Sequence, residues 1–169
     1  MVCCLLLRLT EVLFQGQKWK LCDFGLTSEV PDDPNEPRWT SRVRGTDVYA
    51  APELAYHKRF YKSLDIWSLG CILYEVAFEH PPFSHGPAYS PVWDAFRDGT
   101  SPDPLGFKSL PDGLYFEPYI MQMLQVNELN RPTVTQLLAQ FVEARDKLDT
   151  ARYVTQGLIA NGSMLGTPQ

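Results

Sequence analysis

The stretch Leu64 to Phe78 constrains this chain more than any other. Of its fifteen residues only Asp65, Ser68 and Glu75 are polar. Leu64, Ile66, Trp67, Leu69, Cys71, Ile72, Leu73, Tyr74, Val76, Ala77 and Phe78 would cover every side of a helix. A helix that is apolar all round has to be buried all round. At 1.5 Å per residue it would be about 22 Å long, too short and too acidic for a bilayer span. It therefore reads as a central core helix, with Ser63 and Asp65 as capping residues at its start and His80-Pro81-Pro82 as its end.

Other elements have to wrap that helix. Val12-Leu13-Phe14, Gln15-Gly16-Gln17 and Trp19-Lys20-Leu21-Cys22 read as strand, glycine turn and strand. Pro31, Pro34 and Pro37 exclude a regular helix or central strand there, so that segment reads as a surface loop. Val92, Trp93 and Phe96 predict a short helix stopped by Gly99. Pro118 to Leu124 predicts another, with Tyr119, Ile120, Met123 and Leu124 on one side. Thr133 and Gln136 form a capping-box pattern. Val134, Leu137, Leu138, Phe141 and Val142 then follow helical spacing, and the last helix is expected to run to about Leu148. The small, polar end from Gly157 to Gln169 is expected to fray.

Composition narrows the function classes. The chain has 169 residues, 44% hydrophobic and 21% charged, as an ordinary folded domain does. Its net charge is −5 and it has no block of lysine and arginine, which argues against nucleic acid as a partner. No apolar run is long enough for a membrane span. Cys3, Cys4, Cys22 and Cys71 show no C-x-x-C pairing, so a reducing, cytoplasmic setting fits better than a disulfide framework or a zinc site. His57, His80 and His85 form no ligand pattern and read as surface residues.

Four motifs carry the chemistry. Asp23-Phe24-Gly25 ends the second strand, where a carboxylate freed by a following glycine is well placed to hold a metal ion. Gly45-Thr46-x-x-Tyr49-x-Ala51-Pro52-Glu53 follows a loop. Asp65-Ile66-Trp67-Ser68-Leu69-Gly70 opens the core helix, and Arg131-Pro132-Thr133 precedes the last one. In this order they resemble the eukaryotic protein kinases of serine/threonine type, over roughly residues 12–148. The stretch Tyr61 to Gly70 is somewhat similar to the NIMA-related group.

The resemblance implies roles. Asp23 would be the magnesium-binding aspartate that positions nucleotide phosphates. Asp23, Phe24 and Gly25 would open an activation segment ending at Glu53, with Thr40 and Ser41 where an activating phosphate often lands. Thr46 would be the substrate-facing threonine of serine/threonine-specific members. Glu53 and Arg131 would close a buried structural ion bridge, and Asp65 would hold the backbone of the catalytic loop. The family uses ATP and Mg2+ and acts on a protein substrate.

Residues 1–11 depart from the family. Aligned on Val12-Leu13-Phe14, the histidine-arginine-aspartate positions hold Cys4, Leu5 and Leu6. The expected catalytic base is thus Leu6, which accepts no proton. The lysine, proline and asparagine positions hold Arg8, Leu9 and Glu11. No Gly-x-Gly-x-x-Gly and no Val-Ala-Ile-Lys pattern occurs. Losing a general base costs about 10²–10⁴-fold in rate. Losing nucleotide positioning forfeits effective molarities of about 10⁵–10⁸ M, so the second loss dominates. The expectation is a mainly α fold, a kinase-like large (C-terminal) lobe with a short β-hairpin and the small lobe absent. It divides into an atypical segment 1–11, a partial kinase domain 12–148 and a tail 149–169. Such a chain is expected neither to catalyse nor to bind ATP and Mg2+ by itself. The other reading is a pseudokinase-like module that binds a protein partner.

Overall fold

The computed structural model describes residues 2–4, 8–30, 33, 36–41, 46–110 and 113–162. In chain order the strands and helices are β1 (Val2–Cys4), β2 (Val12–Gln15), β3 (Lys18–Leu21), β4 (Ser28–Val30), β5 (Arg38–Trp39), α1 (Pro52–His57), β6 (Arg59–Phe60), α2 (Leu64–Phe78), α3 (Pro91–Asp98), α4 (Gly113–Met123) and α5 (Val134–Gly162). The strands pair antiparallel two by two: β1 with β4, β2 with β3, and β5 with β6. Residues up to Pro132 form one compact unit, and Thr133 onward forms a second.

In the first unit α2 has the bounds its apolar run predicts. Trp67 and Cys71 are fully buried, with Leu64, Ile66, Ile72 and Tyr74 nearly so. Burial is not complete, because Val76 in the last turn is 63% exposed. Ser63 stands at the start of α2 but makes no side-chain cap bond, and its hydroxyl has no partner. Its own backbone is already helical, at φ −70 and ψ −3, so the extended geometry that aims a capping oxygen is missing. At the other end Glu79 takes a left-handed conformation and closes the helix on the Glu75 carbonyl.

Aromatic packing builds the rest of this core. The Trp67 and Phe83 rings stack at 5.7 Å, and Trp93 meets both edge-on at 6.1 and 5.4 Å. Tyr74 stacks on Phe78 at 4.2 Å, and its buried hydroxyl donates to the Leu105 carbonyl at 2.8 Å. A buried phenol needs such a partner. Helix α4 adds Ile120 and Met123, with Leu124 just beyond its end. The glycine side of α2 lets α4 come close: a Cβ on Gly70 would lie 3.0 Å from Met123 and Leu124 side-chain atoms. Helix α4 begins at Gly113, ahead of the expected Pro118, which sits inside it. Pro118 stands at the middle of the helix, where it removes the N–H that would otherwise bond back to the Leu114 carbonyl.

The β2–β3 hairpin has the predicted place. Its turn residues Gly16 and Gln17 both have positive φ, 59° and 62°, the pattern of a type I′ turn. Leu13, Phe14, Trp19 and Leu21 are all exposed, and the Phe14 and Trp19 rings meet at 4.9 Å. The exposed apolar surface of this unit therefore includes the hairpin as well as the late turn of α2. Segment 1–11 contributes β1, which the sequence reading had not assigned. His57, His80 and His85 are exposed, as expected.

The second unit is α5. Thr133 and Gln136 form its capping box: the Thr133 amide donates to Gln136 Oε1 at 2.7 Å and the Gln136 amide to Thr133 Oγ1 at 3.3 Å. The helix runs to Gly162, well past the expected Leu148 and through part of the expected frayed end. Ala151, Arg152, Gln156, Leu158 and Ala160 are good helix formers, and the single Gly157 is too weak a breaker to stop them. Leu137 is buried, but Val134, Leu138, Phe141 and Val142 are exposed, so the stripe is not a core face along its length. Among the described residues no helix is long and apolar enough to cross a membrane.

Candidate functional site

Asp23 stands two residues beyond β3. Its φ of 60° is left-handed, a region that aspartate tolerates better than most side chains. The turn is held by the Gly25 amide, which donates to Asp23 Oδ1 at 3.1 Å. A Cβ on Gly25 would stand 3.1 Å from that same oxygen, so glycine leaves the carboxylate room. The other oxygen, Oδ2, is 3.8 Å from Arg8 Nη2.

Arg8 also holds Glu11. Arg8 Nε donates to Glu11 Oε1 at 2.7 Å, Nη2 lies 2.6 Å from the same oxygen, and the Arg8 amide donates to Oε2 at 3.0 Å. Glu11 is 5% exposed, and its carbonyl accepts from the Cys22 amide at 2.9 Å. The Glu11 hydrogen bond and charge, with a smaller push from Asp23, raise the guanidinium pKa above its ordinary value. One cation thus serves two carboxylates at the end of the hairpin. Phe24, beside Asp23, is exposed. Leu6 lies outside the described residues.

Downstream, β5 and β6 bring the loop back onto α1. The Thr40 amide donates to the Lys58 carbonyl at 2.8 Å, and Thr40 is half-buried while Ser41 is exposed. Residues 42–45, Gly45 among them, lie outside the described residues.

Thr46 is exposed and starts a short 3-10 turn, Asp47–Tyr49. That turn is fastened to α2 at two points. The Tyr49 hydroxyl donates to Glu75 Oε2 at 2.5 Å, and the Ser68 hydroxyl donates to the Tyr49 carbonyl at 3.2 Å. Burial, then the Glu75 carboxylate, pushes the Tyr49 pKa up to about 12. Tyr49 and Glu75 stand in separate motifs of the sequence, and no spacing pairs them. Glu75 is the one acid in the later half of the core helix, which signals that a donor is needed but not which one.

Thr46, Asp47, Val48, Ser84, His85 and Tyr89 line an open cleft of about 480 Å³. Gly86, next to His85, comes close to Asp47 across the chain. Its φ is +76°, and a Cβ there would lie 2.5 Å from the Asp47 carbonyl oxygen. Hydroxyls, an imidazole and a carboxylate on one rim offer both donors and acceptors to a polypeptide segment.

Glu53, in the first turn of α1, meets Arg131. Arg131 Nη1 donates to Glu53 Oε1 and Nη2 to Oε2, both at 2.7 Å, with both side chains essentially inaccessible. Arg131 Nε donates to the Gln125 carbonyl at 2.9 Å, and its guanidinium lies 5.0 Å from the centroid of the Trp67 ring. Every charged atom of the pair therefore has company. Asp65 is half-buried in the first turn of α2.

The structure brings Asp23 to Arg8 and Glu11, Thr46 to the cleft, and Glu53 to Arg131. Comparison with known proteins adds the family. A profile of the protein kinase domain matches residues 7–142. Serine/threonine-protein kinase TIO of Arabidopsis thaliana is 29% identical over 148 residues, 86% of this chain and 10% of that protein. Serine/threonine-protein kinase PknB of Mycobacterium tuberculosis is 30% identical over 128 residues, 75% of this chain and 20% of that protein. Serine/threonine-protein kinase 36 of Pongo abelii is 42% identical over 72 residues, 43% of this chain and 5% of that protein. The chain thus spans at most a fifth of the length of these relatives. With the profile covering most of its residues, this chain belongs to the protein kinase domain family.

Proposed function

We propose that this chain carries the protein-substrate side of a serine/threonine protein kinase, the large lobe with its activation segment, and that these residues alone do not transfer phosphate. The observation that carries the reading is the double fastening of the Thr46–Tyr49 turn to α2, by Tyr49 to Glu75 and Ser68 to Tyr49. It holds a cleft with hydroxyl, imidazole and carboxylate groups in a fixed frame, as docking of a polypeptide requires. The relatives' names support serine/threonine specificity, and Thr46 fits it. Thr40 and Ser41 are the candidate phosphate acceptors of the segment, and the NIMA-related group is the subgroup we favour.

Protein kinases generally use ATP and Mg2+. No Gly-x-Gly-x-x-Gly and no Val-Ala-Ile-Lys pattern stands in this sequence, and the base position is Leu6. The experiment is a phosphotransfer assay on a generic serine/threonine substrate, paired with melting curves in Mg-ATP. The expected result is no transfer and no change in melting temperature, since stabilisation requires a site in the native state. A saturable rise would overturn the inactive reading.

A second reading, a pseudokinase-like module that binds a protein partner, is favoured by one observation. Glu11 and Asp23 are both engaged by Arg8. Partner binding at the cleft that survives Asp23→Asn would support it, and loss of that binding would count against it.

A further inference from the structure

The family's magnesium ion is the group whose fit has to be tested against these residues. Mg2+ demands near-octahedral oxygen ligation at about 2.0–2.1 Å. The donors at the hairpin end are Asp23 and Glu11, and a cation is already among them. The Arg8 guanidinium touches Glu11 Oε1 through two nitrogens, at 2.7 and 2.6 Å, and its Nη2 is 3.8 Å from Asp23 Oδ2. The backbone strengthens the clamp, because the Arg8 amide holds Glu11 Oε2 at 3.0 Å. Glu11 is buried, so it cannot swing out to solvent without leaving these bonds. Asp23 Oδ1 also accepts from the Gly25 amide at 3.1 Å. The residues present do not fit Mg2+.

We propose that Arg8 is a built-in cation at this site: its guanidinium neutralises Glu11 and Asp23 and keeps divalent metal out. The chemistry favours arginine for this. The guanidinium is planar and permanently charged, and here two of its nitrogens converge on one oxygen of Glu11. A metal entering would have to break the Arg8–Glu11 contacts and then sit beside a displaced positive charge. The inference concerns the metal alone and stands whether or not the chain docks a polypeptide.

The test titrates Mn2+ into the full chain, without nucleotide, and follows the free-ion signal by electron paramagnetic resonance. For the unmodified chain the expected result is no saturable one-to-one binding up to about 1 mM. Arg8→Ala frees both carboxylates and is expected to bind Mn2+ tighter by about tenfold or more. Adding Asp23→Asn to Arg8→Ala should remove that gain, which separates this site from other surface acids. One-to-one binding by the unmodified chain that Asp23→Asn abolishes would overturn the proposal. So would a folded Arg8→Ala chain with no gain, or a gain that persists in the double variant. If circular dichroism shows Arg8→Ala unfolded, the unmodified chain decides alone: binding sensitive to Asp23→Asn overturns the proposal, and its absence supports it.

Discussion

Arg131 sets both terminal nitrogens 2.7 Å from the two oxygens of Glu53, across 78 positions of sequence. The pair is buried and bidentate, and the Gln125 carbonyl takes the remaining Nε proton. Such a pair is costly to break and cheap to replace, because the expense lies in the charge left behind. Glu53→Gln should therefore destabilise the first unit by about 3–5 kcal/mol in urea unfolding. Glu53→Met with Arg131→Met, which leaves no polar side chain of the pair behind, should recover a large part of that loss. A single variant within about 1 kcal/mol of the unmodified chain would show that the pair is not desolvated as the geometry has it.

The Tyr49 phenol gives a pH signature. Its pKa in the fold is raised to about 12 by burial and by Glu75, against about 10 in an unfolded chain. Below pH 10 both states keep the proton and the contribution is fully present. Above it the unfolded state ionises first, so stability is lost as pH rises through the window from about 10 to 12. The stability difference between the unmodified chain and Tyr49→Phe should shrink across that window. Urea unfolding at pH 8, 10 and 11 measures it, and a constant difference would mean that the hydroxyl does not reach Glu75.

What the sequence disclosed depended on how local each signal was. The run Leu64 to Phe78 contains its own bounds, since it is too long for a buried strand and the prolines after His80 close it. Thr133 and Gln136 disclosed a cap because both partners lie within one turn. Ser63 looked equally apt, yet its capping geometry depends on a backbone angle set by the preceding turn. The Tyr49–Glu75 bond joins residues 26 apart, and no local pattern predicts which donor a half-buried acid will find. Arg8 was hidden differently. Alignment placed it at a lysine position, but its grip on both Glu11 and Asp23 arises from the hairpin bringing those residues together.

The cap on α5 can be tested in isolation from the first unit. Thr133→Ala removes the hydroxyl that accepts from the Gln136 amide and should cost about 1 kcal/mol of local stability. Amide exchange read residue by residue should show faster exchange in the first turn of α5. Unchanged protection of the Gln136 amide would show that the box does not hold the helix start.

Gly86 and Gly99 make a matched pair for the cleft. Both have left-handed φ, +76° and +63°, but nothing stands within 4 Å of a Cβ on Gly99, whereas one on Gly86 would meet the Asp47 carbonyl oxygen at 2.5 Å. Alanine at either site pays the left-handed penalty of about 1–2 kcal/mol. Only at Gly86 must backbone also move, and the backbone that moves is the turn beginning at Thr46. Gly86→Ala should thus be the more destabilising in urea unfolding, by about 1 kcal/mol or more beyond Gly99→Ala. It should also weaken any polypeptide docking at the cleft, while Gly99→Ala leaves docking intact. Equal losses in stability would mean that the loop carrying Ser84 and His85 does not press on Asp47, and that this approach does not fix the shape of the cleft.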